Sequence, residues 1–268
     1  MENKTIYQVD TFTNEIFKGN PAAVMLLDEI PTSRFMQNIA MEMNLSETAF
    51  IVSSGDNTFR IKFFTPTTEI QLAGHPTLAS AHILYKYGIV PSGEKITFIS
   101  NDATLEIEKN GEHISMSFPK YPLTKIKSNP VLNNIIGFEP IELFSSNYNW
   151  IIAVANNVED IKNCNPNFSQ LLENDLGHLM VTAKSETDDE DFVVRCFAPI
   201  MGVNEDPVTG SAHCALTPLW ANKQNKTKLK SLQLSKRTGR LNLELLDDRV
   251  LISGNAITVF EINIIADL

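Results

Sequence analysis

Apolar and polar residues alternate through "TIYQVDTF" (5–12) at the two-residue period of a half-buried strand, and "PAAVMLLD" (21–28) offers a second short apolar run. Between them "TNEIFKGNP" reads as a turn punctuated by Gly19 and Pro21. The pattern then changes period. In "TSRFMQNIAMEMN" Phe35, Ile39 and Met43 recur at four-residue steps behind Thr32 or Ser33 as N-cap, which predicts an amphipathic helix. It runs directly into "LSETAFIVS". Next come "NTFRIKFFTP" as a strand, "HPTLASAHILYKYG" as a helix closed by Gly88, then "KITFIS", and then "ATLEIEKNGEHISMSF" as a hairpin turning at Asn110-Gly111. The proline-punctuated "PKYPLTKIKSNP" is expected to link two domains. Beyond it the same grammar returns: apolar "NWIIAVAN", "LGHLMVTA" and "DFVVRCFAP", a polar glycine-containing run, a helix from about Ala212, and terminal strands. The charged "SETDDEDF" reads as a solvated loop. Strands dominate both halves and each half has one prominent apolar helix, so the class is α+β.

With 268 residues the chain exceeds the ~100–200 of a usual domain, and two domains are expected. Acidic residues number 32 against 22 basic, a net charge of −10 with no basic block. Nucleic acid and anionic membranes lack their electrostatic footprint, which leaves a small organic substrate as the expected partner. The amino terminus shows no basic segment followed by an apolar one, and no stretch approaches the ~18 apolar residues of a membrane span, so the expected location is the cytoplasm. Cys164, Cys196 and Cys214 are an odd set without metal-ligand spacing and read as reduced thiols.

The two halves match when Phe64–Thr65–Pro66 is laid on Phe197–Ala198–Pro199 and Gly74–His75 on Gly210–Ser211, with three extra residues between Pro and Gly in the second. Each copy reads strand, Phe-x-Pro turn, polar loop, glycine, polar residue, apolar helix, and the Ala-His pairs at Ala81-His82 and Ala212-His213 are expected at the same local point. A duplicated domain follows. In each copy the glycine allows close approach of a ligand, and the first helical turn leaves N–H groups that favour an anion by ~0.3–2 kcal/mol. Two such ends facing each other are expected to clamp a small carboxylate.

Five stretches carry a resemblance to a known family: "VDTFTNEIFKGNPAAV", "NLSETAFI" (44–51), "FTPTTEIQLAGHPT" (64–77), "NEDPVTGSA" (204–212) and "SGNAITV". In this order, over nearly the whole chain, they resemble the phenazine-biosynthesis PhzF-like proteins, which share the diaminopimelate-epimerase fold. The resemblance implies two similar domains, each a β-barrel-like mixed sheet around a central helix, with the active site between them. The domains fall at 1–119 and 131–268 with 120–130 as linker and the last strand packing back on the first domain. The epimerase relatives place cysteines at the two helix starts. Here those positions are His75 and Ser211, which argues against two-thiol racemisation, and Cys214 lies too far along to substitute and reads as a buried structural thiol.

The glutamate of the family motif falls on Glu47. Its neighbours Leu45, Thr48, Ala49 and Phe50 would partly desolvate it and raise its pKa toward neutrality, although a surface or capping glutamate fits the residues as well. His75, at a helix start that disfavours imidazolium, serves as a neutral donor or acceptor to substrate or as a helix cap. Asp206 is the family's second acidic position as well as the opening of an Asp-Pro turn. Ser211 binds a substrate carboxylate or caps its helix. Gly74 and Gly210 border the ligand, and by the resemblance Asn20 and Ser46 line the site, a turn before a strand explaining Asn20 equally. His75 and His82 are seven residues apart on one helix, roughly 10 Å, too far to share an ion, so no metal is expected. No dinucleotide fingerprint, phosphate loop or Schiff-base lysine motif appears, and cofactor-independent chemistry is expected. The reading is an isomerase shifting a proton on a small carboxylate-bearing substrate, with Glu47 as acid/base and His75 and Asp206 assisting; a homodimer is open. The family's namesake isomerises 2,3-dihydro-3-hydroxyanthranilate. The alternative is a non-catalytic binding or adaptor protein on the same scaffold.

Overall fold

The computed structural model describes residues 5–101 and 103–265. The first four residues, part of the amino-terminal stretch read above, lie outside the described residues. The chain divides into two compact units, Met1–Ser117 with Ser253–Leu268, and Phe118–Ile252.

In the first unit β1 (Thr5–Thr11) pairs antiparallel with β2 (Asn20–Leu27), and α1 (Ser33–Met43) crosses over to β3 (Glu47–Gly55), parallel to β2. The helix starts as its sequence predicts: Thr32 is the N-cap, its hydroxyl accepting from Phe35 N at 3.3 Å, and Asn44 ends it in the left-handed region. Next come β4 (Thr58–Phe64), the short β5 (Glu69–Ile70), α2 (Gly74–Lys86), β6 (Ile96–Ile99), β7 (Thr104–Asn110) and β8 (His113–Pro119). Met36 and Ala40 of α1 pack on Ile6, Ala23, Met25, Phe50 and Phe64, which occupy one face of the sheet. Helix α2 is buried on nearly every side and packs against β1, β2 and β3. A helix that is apolar all round belongs in a core, with the sheet wrapped about it. Because side chains alternate along a strand, Phe50 facing α1 leaves Glu47, Ala49 and Ile51 on the opposite face.

The second unit holds β9 (Leu123–Ile126), α3 (Pro130–Ile136), β10 (Glu142–Ser146), β11 (Ile151–Val154), α4 (Val158–Asn163), α5 (Phe168–Glu173), β12 (Leu179–Lys184), β13 (Phe192–Ala198) and β14 (Val203–Asp206). It continues with α6 (His213–Gln224), β15 (Lys228–Gln233), β16 (Gly239–Leu245) and β17 (Arg249–Gly254). The last strand, β18 (Ala256–Asn263), pairs antiparallel with β1 of the first unit.

The duplication is visible in the pairings. Parallel β2–β3 and β4–β6 correspond to parallel β11–β12 and β13–β15. Antiparallel β1–β2, β3–β4, β4–β5 and β6–β7 correspond to β10–β11, β12–β13, β13–β14 and β15–β16. Even the strand added at the edge matches, β18 on β1 and β9 on β10. In that last pairing β9, which lies within residues 120–130, is joined to β10 of the second unit.

Two expectations need correction. The Ala-His pairs are not equivalent: His82 lies in the third turn of α2, whereas His213 is the first residue of α6. The acidic tract 185–192 is a loop but is not simply solvated. Glu190 is buried and pairs with Arg240 at 2.8 Å, Asp191 accepts from Lys230 N at 2.7 Å, and Glu186 accepts from Val158 N at the start of α4. Carboxylates placed against backbone donors hold the loop to its own unit.

Candidate active site

Four of the expected residues meet in the first unit. Glu47 opens β3 on the face away from α1, and His75 is the second residue of α2. His75 Nδ1 lies 2.9 Å from Glu47 Oε2, with the imidazole 8% and the carboxyl 21% exposed. The distance suits an ion pair, but the oxygen is off the axis of a ring N–H: among the described residues Oε2 is buried and makes no hydrogen bond. On the other side of the ring, Nε2 is 3.3 Å from Ser46 Oγ, and that hydroxyl reaches Asn20 Oδ1 at 3.5 Å. Asn20 is fully buried at the start of β2, where its carbonyl accepts from Thr11 Oγ1 at 2.9 Å. It is thus the first residue of a strand and a neighbour of Ser46.

The loop that delivers Asn20 is constrained. Gly19 has φ +66°, and a Cβ there would meet Thr11 O at 2.0 Å, so no other residue fits without displacing backbone. Phe17, also at positive φ, donates its N–H to buried Asp10 Oδ2 at 2.8 Å. At Gly74 a Cβ would meet nothing within 4 Å, so the space beside the start of α2 is open. His82 is held elsewhere: its Nε2 is 3.0 Å from Thr258 Oγ1, and burial, reinforced by Lys86 and Lys109, pulls its pKa down to about 4.

The other expected residues lie in the second unit. Asp206 ends β14 and accepts from Thr209 Oγ1 at 2.5 Å, while its backbone carbonyl accepts from Gln233 Nε2 at 2.7 Å. Gly210 and Ser211 precede α6 rather than begin it. Ala212 is the cap position and makes no side-chain cap bond, and Ser211 is exposed, so the alternative of a capping serine is set aside. His213 is fully buried between Thr209 O and Ser231 Oγ, each at 2.9 Å, and burial lowers its pKa to about 4. The run's polarity therefore has a partly structural cause. Gln233 carried no sequence signal, standing among alternating polar residues of a strand; Thr209 lay inside the polar run but named no chemistry by itself.

All three cysteines are free and buried, and burial raises the thiols of Cys164 and Cys214 to about 12. Among the described residues no group of three His, Cys, Asp or Glu is placed to hold a metal, and no helix is long and apolar enough to cross a membrane.

Set against known proteins, the chain matches the family profile described as phenazine biosynthesis-like protein, PhzC-PhzF, over residues 9–262. It is 44% identical over 264 residues to an uncharacterized isomerase of Halalkalibacterium halodurans, covering 97% of each chain. The crystal structure of a PhzF-family phenazine biosynthesis protein from Enterococcus faecalis aligns with TM-score 0.93 at 37% identity, over 98% of this chain and 100% of that one. A hydroxyproline epimerase from Agrobacterium vitis, with bound trans-4-hydroxy-L-proline, aligns with TM-score 0.63 at 10% identity over 98% and 91% of the two chains, a likeness of fold alone. The architecture is the diaminopimelate-epimerase-like α+β fold of two similar units.

Proposed function

Because the chain belongs to the phenazine biosynthesis-like PhzC/PhzF family and is an isomerase like its relatives, we propose that it shifts a proton between carbons of a small carboxylate-bearing substrate without a cofactor, with Glu47 as the acid/base. The observation that carries this reading is the Glu47–His75 contact, a buried carboxyl oxygen 2.9 Å from an imidazole nitrogen and free of any hydrogen bond among the described residues. A carboxylate locked by several donors would be held ionised. One that meets only a titratable ring can take a proton from carbon and return it. A positioned acid/base supplies ~10²–10⁴-fold, and orientation with stabilisation of the developing anion supplies the remainder.

In this reading Ser46 and Asn20 orient the ring, and the backbone beside Gly74 admits the substrate. For the second unit we propose that Asp206 handles a polar hydrogen of a substrate and that Gly210 and exposed Ser211 offer N–H and hydroxyl to a carboxylate. The test is incubation in D₂O with 2,3-dihydro-3-hydroxyanthranilate and a panel of small unsaturated and cyclic carboxylates, read by mass spectrometry. The wild type should place deuterium on carbon, and Glu47→Gln should abolish that exchange while keeping the thermal midpoint. Exchange by the Gln variant at the wild-type rate sinks the assignment.

A further inference from the structure

The segment from Asp206 to Gly210 is tied down by hydrogen bonds whose directions follow from groups that can play only one part. The backbone N–H of Thr209 can only donate, and it reaches Gln233 Oε1 at 2.9 Å. That sets the amide: Gln233 Nε2 points the other way and donates to Asp206 O at 2.7 Å and to Thr209 Oγ1 at 3.3 Å. The Thr209 hydroxyl, accepting from Gln233, directs its single proton to Asp206 Oδ2 at 2.5 Å. Such a separation is typical of a hydroxyl donating to an ionised carboxylate. The carbonyl of Thr209 can only accept, so His213 carries its proton on Nδ1, and its bare Nε2 accepts from Ser231 Oγ. Ser235 Oγ donates to Pro207 O at 2.6 Å. Gln233, His213 and Ser231 are fully buried, so the bonds joining Thr209 to Gln233 and His213 to Thr209 and Ser231 are shielded from water, while the bonds that reach Asp206 are part-buried.

We propose that Gln233 and Thr209 are positioning residues that hold Asp206 as a carboxylate with Oδ2 committed as an acceptor, so that any proton the side chain takes up is confined to Oδ1. The proposal rests on the reading of Asp206 as a substrate-handling acid only for its consequence in turnover. The relay itself is measurable without a substrate. Charged and titratable groups near Asp206 within its own unit include the Arg195–Glu205 pair from β13 and β14, the buried thiol of Cys196 opposite it in the sheet, and neutral His213 at the head of α6. The changes below replace none of these side chains, and Thr209→Val also removes the hydroxyl beside the Cys196 thiol.

The test follows the Asp206 carboxyl carbon by ¹³C NMR through an acid titration of the full chain, assigned with Asp206→Asn. Thr209→Ser should titrate as the wild type does. Thr209→Val, isosteric but without the donor, should bind the proton about tenfold more tightly or better. Gln233→Met, which frees the hydroxyl to point elsewhere, should move the same way by less, and it answers the question if the Val variant fails to fold. Coincident titration of these variants and the wild type overturns the relay, as does an Asp206 already protonated at neutral pH. A normal shift in Thr209→Val with deuterium exchange undiminished keeps the relay and removes Asp206 from the chemistry.

Discussion

Helix α2 begins at Gly74 and its second residue, His75, reaches out to Glu47, whereas α6 begins three residues past Gly210 and its first residue, His213, turns inward to Thr209 and Ser231. The strand pairings around the two helices are the same, parallel pairs included. The extra residues between Pro199 and Gly210 therefore do not alter the sheet. They lengthen the approach to the helix, drawing β14 out to four residues against the two of its counterpart β5 and adding a bonded turn in which Asp206, Thr209 and Gln233 meet. One copy thus places an imidazole against a carboxyl at the helix start, and the other uses its imidazole as a buried brace. What a duplicated scaffold conserves is the ladder, and chemistry enters through the few residues between strand and helix.

The sharpest way to break this comparison is to delete both histidines separately. His75→Ala should lower deuterium exchange by about 10²-fold or more with the thermal midpoint little changed. His213→Ala should do the reverse in kind, costing roughly 2–4 kcal/mol of stability, because it leaves a cavity and strands the buried Ser231 hydroxyl. Equal loss of stability in both variants would erase the distinction between reacting and bracing histidine.

Acid should weaken both units alike. His82 in one and His213 in the other have folded pKa values pulled from 6.5 to about 4 by burial. Folded and unfolded forms bind protons equally above pH 6.5; between 6.5 and about 4 the unfolded chain binds more, and stability falls with pH until the loss levels off below about 4. Each ring accounts for about 3 kcal/mol of that loss. Urea denaturation between pH 7 and 4 should show the fall, and His82→Gln with His213→Gln should flatten it; an unchanged slope in the double variant refutes the assignment.

Gly19→Ala probes a feature of the first unit's Asn20 loop. With φ +66° and a Cβ 2.0 Å from Thr11 O, the change should cost about 1–3 kcal/mol and loosen Asn20, measured as a lower denaturation midpoint together with weaker exchange. The smallest effect is expected of Lys95, paired with Glu108 at 2.7 Å but exposed. Lys95→Ala should leave the midpoint where it was, and a clear drop would show that surface pairs matter here.

Local chemistry was legible wherever a residue's neighbours in sequence are also its neighbours in space. Thr32 capping α1, Asn44 ending it, the hairpin at residues 110–113 and the buried apolar course of α2 follow from period and capping alone. The repeat could be read from Phe-x-Pro and Gly, because a strand-turn-helix passage is a local grammar. The same grammar misled at the Ala-His pairs, where an identical dipeptide falls in different turns of the two helices, and in the acidic tract, where Glu190 finds Arg240 fifty residues on. Glu47, His75 and Asp206 stood out by motif, but their partners did not. That His75 touches Glu47, that Ser211 is left exposed, and that Gln233 from a distant strand directs the Thr209 hydroxyl are matters of strand register and helix phase. A one-residue slip in either would turn these side chains to another face, so only the folded chain, with its ladders closed, decides which polar groups meet.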